Sequence, residues 1–283
     1  MHVAHFYDKD TGTFTYVVSD EKTKKCAVID SVLNFDIYSA STYTKSADAV
    51  IEYVKSHSLT VEWVLDTHAH ADHLTAAHYI KSQLGGKTAI GEKIVSVIKT
   101  WSEIFNLNDV PLDGSQFDHL LKEGEKFYIG EIEVVVMHTP GHTPACSTYV
   151  MGDCAFVGDT ILMPHIGTAR TDFPGGSART LYQSIQKILS LPEDTKIYTC
   201  HDYPKEGDKP HCVATVAEHK AHNALVYDGV KEDEYVVNRN RRDAGKPVPT
   251  LLIPSIQVNI RAGELPRPES NGKAYLKFPL NTL

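Results

Sequence analysis

Between residues 61 and 73 an apolar stretch of β-type runs into a dense set of polar donors. Val61-Glu62-Trp63-Val64-Leu65 is followed by Asp66-Thr67-His68-Ala69-His70-Ala71-Asp72-His73. Imidazole and carboxylate are ligands of first-row metals. Three histidines this close would repel one another if protonated, and a hydrophobic core would not accommodate them all. His68 and His70 alternate along the chain, while Asp72 and His73 fall where it turns towards a helix, so four donors converge from a single turn. The segment therefore predicts a metal-binding loop at the end of a buried strand.

The bulk numbers narrow what surrounds that loop. With 283 residues, 42% of them hydrophobic, the chain can bury a large core in one or two domains. A net charge of −8 argues against nucleic acid, which calls for a basic stripe. No apolar run reaches membrane-spanning length, and the first residues, Met1-His2-Val3-Ala4-His5-Phe6, lack a signal-peptide pattern. Five cysteines without CxxC spacing read as reduced thiols, so the expected location is cytoplasmic.

Along the chain, residues 14–18 and 26–30 read as paired strands, 46–57 as a helix, and 61–66 as the strand that delivers the histidine loop. A helix from residue 74 stops at Gly85-Gly86, and a strand at 88–90 precedes a further helix. Hairpins follow at 125–137 and 147–157, then a helix at 177–189 and a strand at 196–200. Strands and helices in both halves predict two packed sheets with helices outside, a four-layer α/β arrangement. Residues 212–226 and 230–243 read as helical, and 247–268 as an extended tail punctuated by proline. We therefore divide the chain into a domain over 1–205 and an appendage over 206–283 packed on the same domain.

Three more polar clusters stand at expected strand ends: His138-Thr139-Pro140-Gly141-His142-Thr143-Pro144, Gly158-Asp159-Thr160 and His201-Asp202-Tyr203. In α/β proteins, binding groups gather on the rim where strands end. Each cluster alone reads as an ordinary turn; four in one context point to a shared site. In this order and spacing they resemble the metallo-β-lactamase superfamily, which implies an αββα sandwich with a metal at the sheet edge. A second resemblance is narrower. Thr168-Ala169-Arg170-Thr171-Asp172-Phe173-Pro174-Gly175-Gly176, His201-Asp202-Tyr203 and the tail from Ile253 to Gly263 are similar to the glutathione persulfide dioxygenase (sulfur dioxygenase) branch, and within it to bacterial members called β-lactamase-like hydrolases.

That resemblance implies one Fe(II) per subunit held by His68, His142 and Asp159, two imidazoles and a carboxylate that leave open coordination positions. It implies glutathione persulfide and O2 as substrates, sulfite and glutathione as products, and a homodimer. His70, Asp72, His73 and His201 would line the iron site, or hold a second metal in a hydrolase. Arg170 would pair with a glutathione carboxylate, Tyr203 would stand beside the substrate, and Lys220 falls where the mammalian-type enzyme carries an arginine. Thr168 falls near a cysteine of that enzyme, and His165 is expected at the pocket mouth or a subunit contact. The alternative expectation is a dinuclear zinc hydrolase, a glyoxalase-II-like thioesterase on acyl-glutathione, in which metal lowers the pKa of bound water. A non-enzymatic metal or redox sensor is the reading from another class; the complete donor set speaks against it.

Overall fold

The structure is a computed structural model that describes residues 1–282. The first half builds a six-stranded sheet from β1 (His2–Asp8), β2 (Thr13–Ser19), β3 (Lys25–Ile29), β6 (Thr60–Leu65), β8 (Lys87–Gly91) and β9 (His119–Leu121), in the order β1-β2-β3-β6-β8-β9. The first three strands form an antiparallel meander, and β3, β6, β8 and β9 run parallel. Between β3 and β6 lie β4 (Val32–Asp36), β5 (Ser41–Tyr43) and α1 (Lys45–Ser56); between β6 and β8 lie β7 (Leu74–Thr75) and α2 (Ala77–Leu84); α3 (Ile94–Phe105) precedes β9. The second sheet has the order β10 (Lys126–Ile129), β11 (Ile132–His138), β12 (Ser147–Met151), β13 (Cys154–Phe156), β14 (Lys196–Tyr198), β15 (Val213–Thr215). A crossover through α4 (Ala178–Leu189) makes β13 and β14 parallel. The chain continues into α5 (Val216–His222), α6 (Glu232–Asp243) and α7 (Leu252–Asn259).

The two sheets face each other across Phe14, Tyr16, Ile29, Leu65, Phe127, Val136, Tyr149 and Phe156. Alternation along each strand sends its other apolar face outwards to a helical layer. Val28, Val61 and Val64 meet α1 and α2 through Val50, Val54 and Ile80. Ala155, Val157 and Ile197 meet α4 and α6 through Leu181, Ile185 and Tyr235. The fold is thus the αββα sandwich. No helix among the described residues is long and apolar enough to cross a membrane, and all five cysteines are buried and free.

Three expectations change. Residues 74–75 are not helix but β7, paired with Val32 and Leu33 of β4. The expected helix at 212–226 is split: Val213, Ala214 and Thr215 pair with β14, and a capping box between Thr215 and Glu218 then starts α5. A strand from beyond residue 205 thereby completes the second sheet. The tail read as extended contains α7. Pro254 is tolerated because it stands in the first helical turn, where a missing N–H leaves no bond unmade. Burial of Leu252, Ile256 and Val258 holds the helix in place.

Candidate metal centre

All the candidate donors follow strand ends on one rim of the sandwich: β6 leads to the loop with His68, His70, Asp72 and His73, β11 to His142, β13 to Asp159 and β14 to His201. Asp30, just past β3, anchors the first loop. Its carboxylate accepts from Thr67 N at 2.7 Å and from the Thr67 hydroxyl at 3.0 Å, and it lies 2.9 Å from His70 Nε2. The loop is clamped from the far end of the chain by Asn259. The Asn259 amide donates to the carbonyls of His70 and His73, both at 2.8 Å, and its oxygen accepts from Thr75 N at 2.7 Å. Gly158 turns the chain into Asp159 with φ +54°, and a Cβ there would stand 2.3 Å from the Thr67 hydroxyl, so the approach of the two loops requires glycine.

The expected donors fall into two groups, and Cys200 joins two overlapping ones, with Asp30 and His70 and with Asp159 and His201. His68, His142 and Asp159 present ligand atoms within 4.8 Å of one another; so do His70, Asp72, His73 and His201. In the first, the His142 Nδ1–H donates to the Arg170 carbonyl at 2.7 Å, which turns a bare Nε2 towards Asp159, 3.7 Å away. The Thr67 hydroxyl is 3.0 Å from His68 Nδ1, and His68 Nε2 lies 3.8 Å from the same Asp159 oxygen. In the second, His201 Nε2 is 2.9 Å from Asp72 Oδ2, out of hydrogen-bond alignment, and 3.4 Å from Asp159 Oδ1. Thr13 reaches both His73 Nδ1, at 3.3 Å, and His201 Nδ1, at 3.4 Å.

These residues fit a metal ion. Six buried ligand atoms have no hydrogen-bond partner: Nε2 of His68, His73 and His201, Nδ1 of His70, Oδ2 of Asp72 and Oδ1 of Asp159. Each unmet buried group costs about 1–3 kcal/mol, and folded proteins carry few of them; coordination removes the cost for the whole set. The electrostatics of His68, His70 and Asp72 agree, while Asp159 and His201 hold their protons until a cation displaces them. Burial, then neighbouring imidazoles, push His68 and His70 well below the ordinary histidine range, which keeps them neutral as ligands must be. Burial alone would raise Asp72, but His201 and His73 outweigh it and hold it well below the usual carboxylate range. Burial raises Asp159, with partial relief from His201 and His142. In His201 burial is outweighed by Asp159 and Asp72, which lift it to about 10.

A cavity of about 350 Å³ opens onto His142, Asp159 and Asp72. Arg170 and Tyr203 line it. Arg170, however, is already engaged: its guanidinium forks onto Asp172 at 2.6 and 2.7 Å and donates to Pro247 O at 2.8 Å. His165 lies 3.2 Å from Asp202, next to the cavity residues Ile166 and Tyr203. Thr168 lines the cavity and bonds the Tyr235 hydroxyl. Lys220 is not brought to this cavity. It stands on α5, 3.6 Å from Glu193, and borders a different hollow with Gln186 and Tyr227. Reading the sequence missed Arg239, Arg242 and Lys246, which line the cavity from α6 and just beyond. It also missed Asp30 and Asn259. The available signal was polar residues embedded in apolar runs: Asp30 after Val28-Ile29, and Gln257 and Asn259 among Ile256, Val258 and Ile260.

Residues 8–201 match the Metallo-beta-lactamase superfamily, and the chain belongs to that family. It is thus a member of a superfamily of metal-dependent enzymes, with the His/Asp cluster present. Among its relatives, it is 52% identical over 99% of its length to the "Beta-lactamase hydrolase-like protein" of Xylella fastidiosa, and spans 65% of that longer protein. It is 51% identical over 98% of its length to "Glyoxylase B2" of Dictyostelium discoideum, covering 96% of it. "Persulfide dioxygenase ETHE1, mitochondrial" of Homo sapiens is 30% identical over 89% of this chain and 84% of its own. The crystal structure of ETHE1 from Myxococcus xanthus superimposes with a TM-score of 0.75 at 28% identity, covering 93% of this chain and all of that one.

Proposed function

We propose that the chain is a persulfide dioxygenase that oxidises glutathione persulfide with O2 and water to sulfite and glutathione, using one Fe(II) held by His68, His142 and Asp159. The observation that carries this reading is the convergence of two imidazoles and one carboxylate beside a cavity able to admit a substrate. The homology to human persulfide dioxygenase supports it. Iron in a two-histidine, one-carboxylate site supplies the redox chemistry and open coordination positions for substrate and oxygen. The chain's own residues bind, orient and shield. The Arg170 carbonyl fixes the His142 tautomer. Leu162, Ile166 and Phe173 form an apolar wall. His70, Asp72, His73 and His201 surround the site, with His201 Nε2 3.4 Å from Asp159. No protein nucleophile is required. In this reading residues 206–283 act as part of the same unit as 1–205, and a second copy of the chain completes a homodimer.

One observation favours a second reading. His70, Asp72, His73 and His201 form a complete donor set with unpartnered ligand atoms, which suits a dinuclear zinc hydrolase acting on acyl-glutathione. The similarity to Glyoxylase B2 points the same way. Dioxygen uptake by anaerobically purified, iron-loaded protein on adding glutathione persulfide separates the two. We expect one sulfite per O2 consumed. Absence of uptake, with acyl-glutathione hydrolysis by the zinc form, would establish the hydrolase instead.

A further inference from the structure

The mouth of the cavity carries more positive charge than its neighbours balance, in a chain whose net charge is −8. Four cations line it: Arg170, Arg239, Arg242 and Lys246. Two are spoken for. Arg170 forks onto Asp172. Arg239 is buried and pairs with Asp243, which also accepts from Thr171 N at 2.9 Å, and it donates to Thr168 O at 2.8 Å. This pair braces the segment whose Arg170 carbonyl holds His142. The remaining two are exposed and loosely held. Arg242 makes one long bond, 3.4 Å to Ile166 O, and the Lys246 ammonium is 3.9 Å from an Asp243 already matched by Arg239. The cavity carboxylates Asp72 and Asp159 face the metal donors and do not balance them.

We propose that Arg242 and Lys246 form an anion subsite that takes a free carboxylate of a thiol-peptide substrate. The inference rests on the proposed function for the identity of that peptide, though not for the subsite itself. The exposed Arg242 guanidinium has no salt bridge to break and the exposed Lys246 ammonium gives up only a 3.9 Å contact to Asp243, whereas Arg170 would have to leave a two-point fork on Asp172 at 2.6 and 2.7 Å. Partial burial and the guanidiniums of Arg239 and Arg170 lower Lys246 below its ordinary range despite Asp243 and Asp172. The arrangement assigns Arg170 to positioning, through its backbone carbonyl, and leaves carboxylate recognition to a pair on and just after α6.

The test is calorimetric binding of S-methylglutathione, which carries both carboxylates and a capped sulfur, to the anaerobic iron-loaded protein. Arg242→Gln and Lys246→Gln should each weaken binding about tenfold, the loss expected for one charge-assisted hydrogen bond. The diethyl ester of the same peptide, which lacks both negative charges, should bind wild type and the double variant equally weakly. An affinity for S-methylglutathione unchanged in the double variant, an ester that binds wild type as tightly as the free peptide, or no binding to wild type would each overturn the subsite. Oxygen uptake with glutathione persulfide on the same preparations keeps the two claims apart. Charge-dependent binding without uptake refutes the dioxygenase reading alone. Uptake with a KM indifferent to both substitutions refutes the subsite alone.

Discussion

The two donor groups use the same residue types and differ in what surrounds them. His142 and Asp159 of the triad open onto the cavity, and the two imidazoles are oriented from behind, His142 by the Arg170 carbonyl and His68 by Thr67. In the quartet the donors face one another and the protein: His201 lies against Asp72, His70 against Asp30, and His73 and His201 share Thr13. Only Asp72 of the four reaches the cavity. A reactive metal needs both ligands and room for substrate. The triad offers both, and the quartet offers ligands with little room. This contrast is why we give the iron to the triad and a supporting role to the quartet.

The contrast breaks most sharply at His142. His142→Ala leaves two donors and should abolish stoichiometric iron binding and turnover, with the circular dichroism of the fold retained; iron content and rate near wild type would show that His142 is no ligand. Next comes Asn259, which holds the quartet's loop. Asn259→Ala strands two carbonyls and an N–H in a buried place and should cost about 3 kcal/mol in urea unfolding. The variant should also lose part of the stabilisation that metal confers; a cost below about 1 kcal/mol would remove Asn259 as a clamp. His73→Ala should keep one iron and lose about tenfold in rate, as outer-shell partners do. If it instead releases one of two bound metals, the quartet is a second metal site.

A buried histidine away from the metal donors sharpens the comparison further. His219 on α5 is enclosed, and burial, only partly opposed by Glu218, lowers it to about 4. Because this folded value lies below the unfolded one of about 6.5, its contribution to stability is complete above pH ~6.5. Below that it is lost as pH falls towards 4, at about 1.4 kcal/mol per pH unit. His68 and His70 are lowered too and add to the slope of the metal-free protein. In unfolding measured between pH ~6.5 and 5, His219→Gln should therefore reduce the slope by about 1.4 kcal/mol per pH unit without abolishing it. A slope unchanged by that substitution would assign the acid sensitivity to the metal donors.

What could be read without coordinates follows from locality. The histidine loop, Gly141-His142 and Gly158-Asp159 announce themselves because donors and turn residues are adjacent in sequence. The strands of both sheets show in their alternation, and the sandwich in their succession. The C-terminal third was misread because its roles are long-range. Asn259 acts on His70 and His73 across more than 180 residues. Pro254 looks like a helix breaker until its place in the first turn is known. Lys220 was chosen by its position along the chain, but α5 turns it to another face, and Arg242 and Lys246 arrive at the cavity only through the packing of α6 on α4.

Anaerobic titration of the metal-free protein with Fe(II), following bound iron and oxygen uptake with glutathione persulfide together, tests the central claim most directly. The account predicts that uptake rises linearly and stops rising at one iron per chain. Activity that appears only as a second equivalent binds, or that zinc supports equally well, would contradict it.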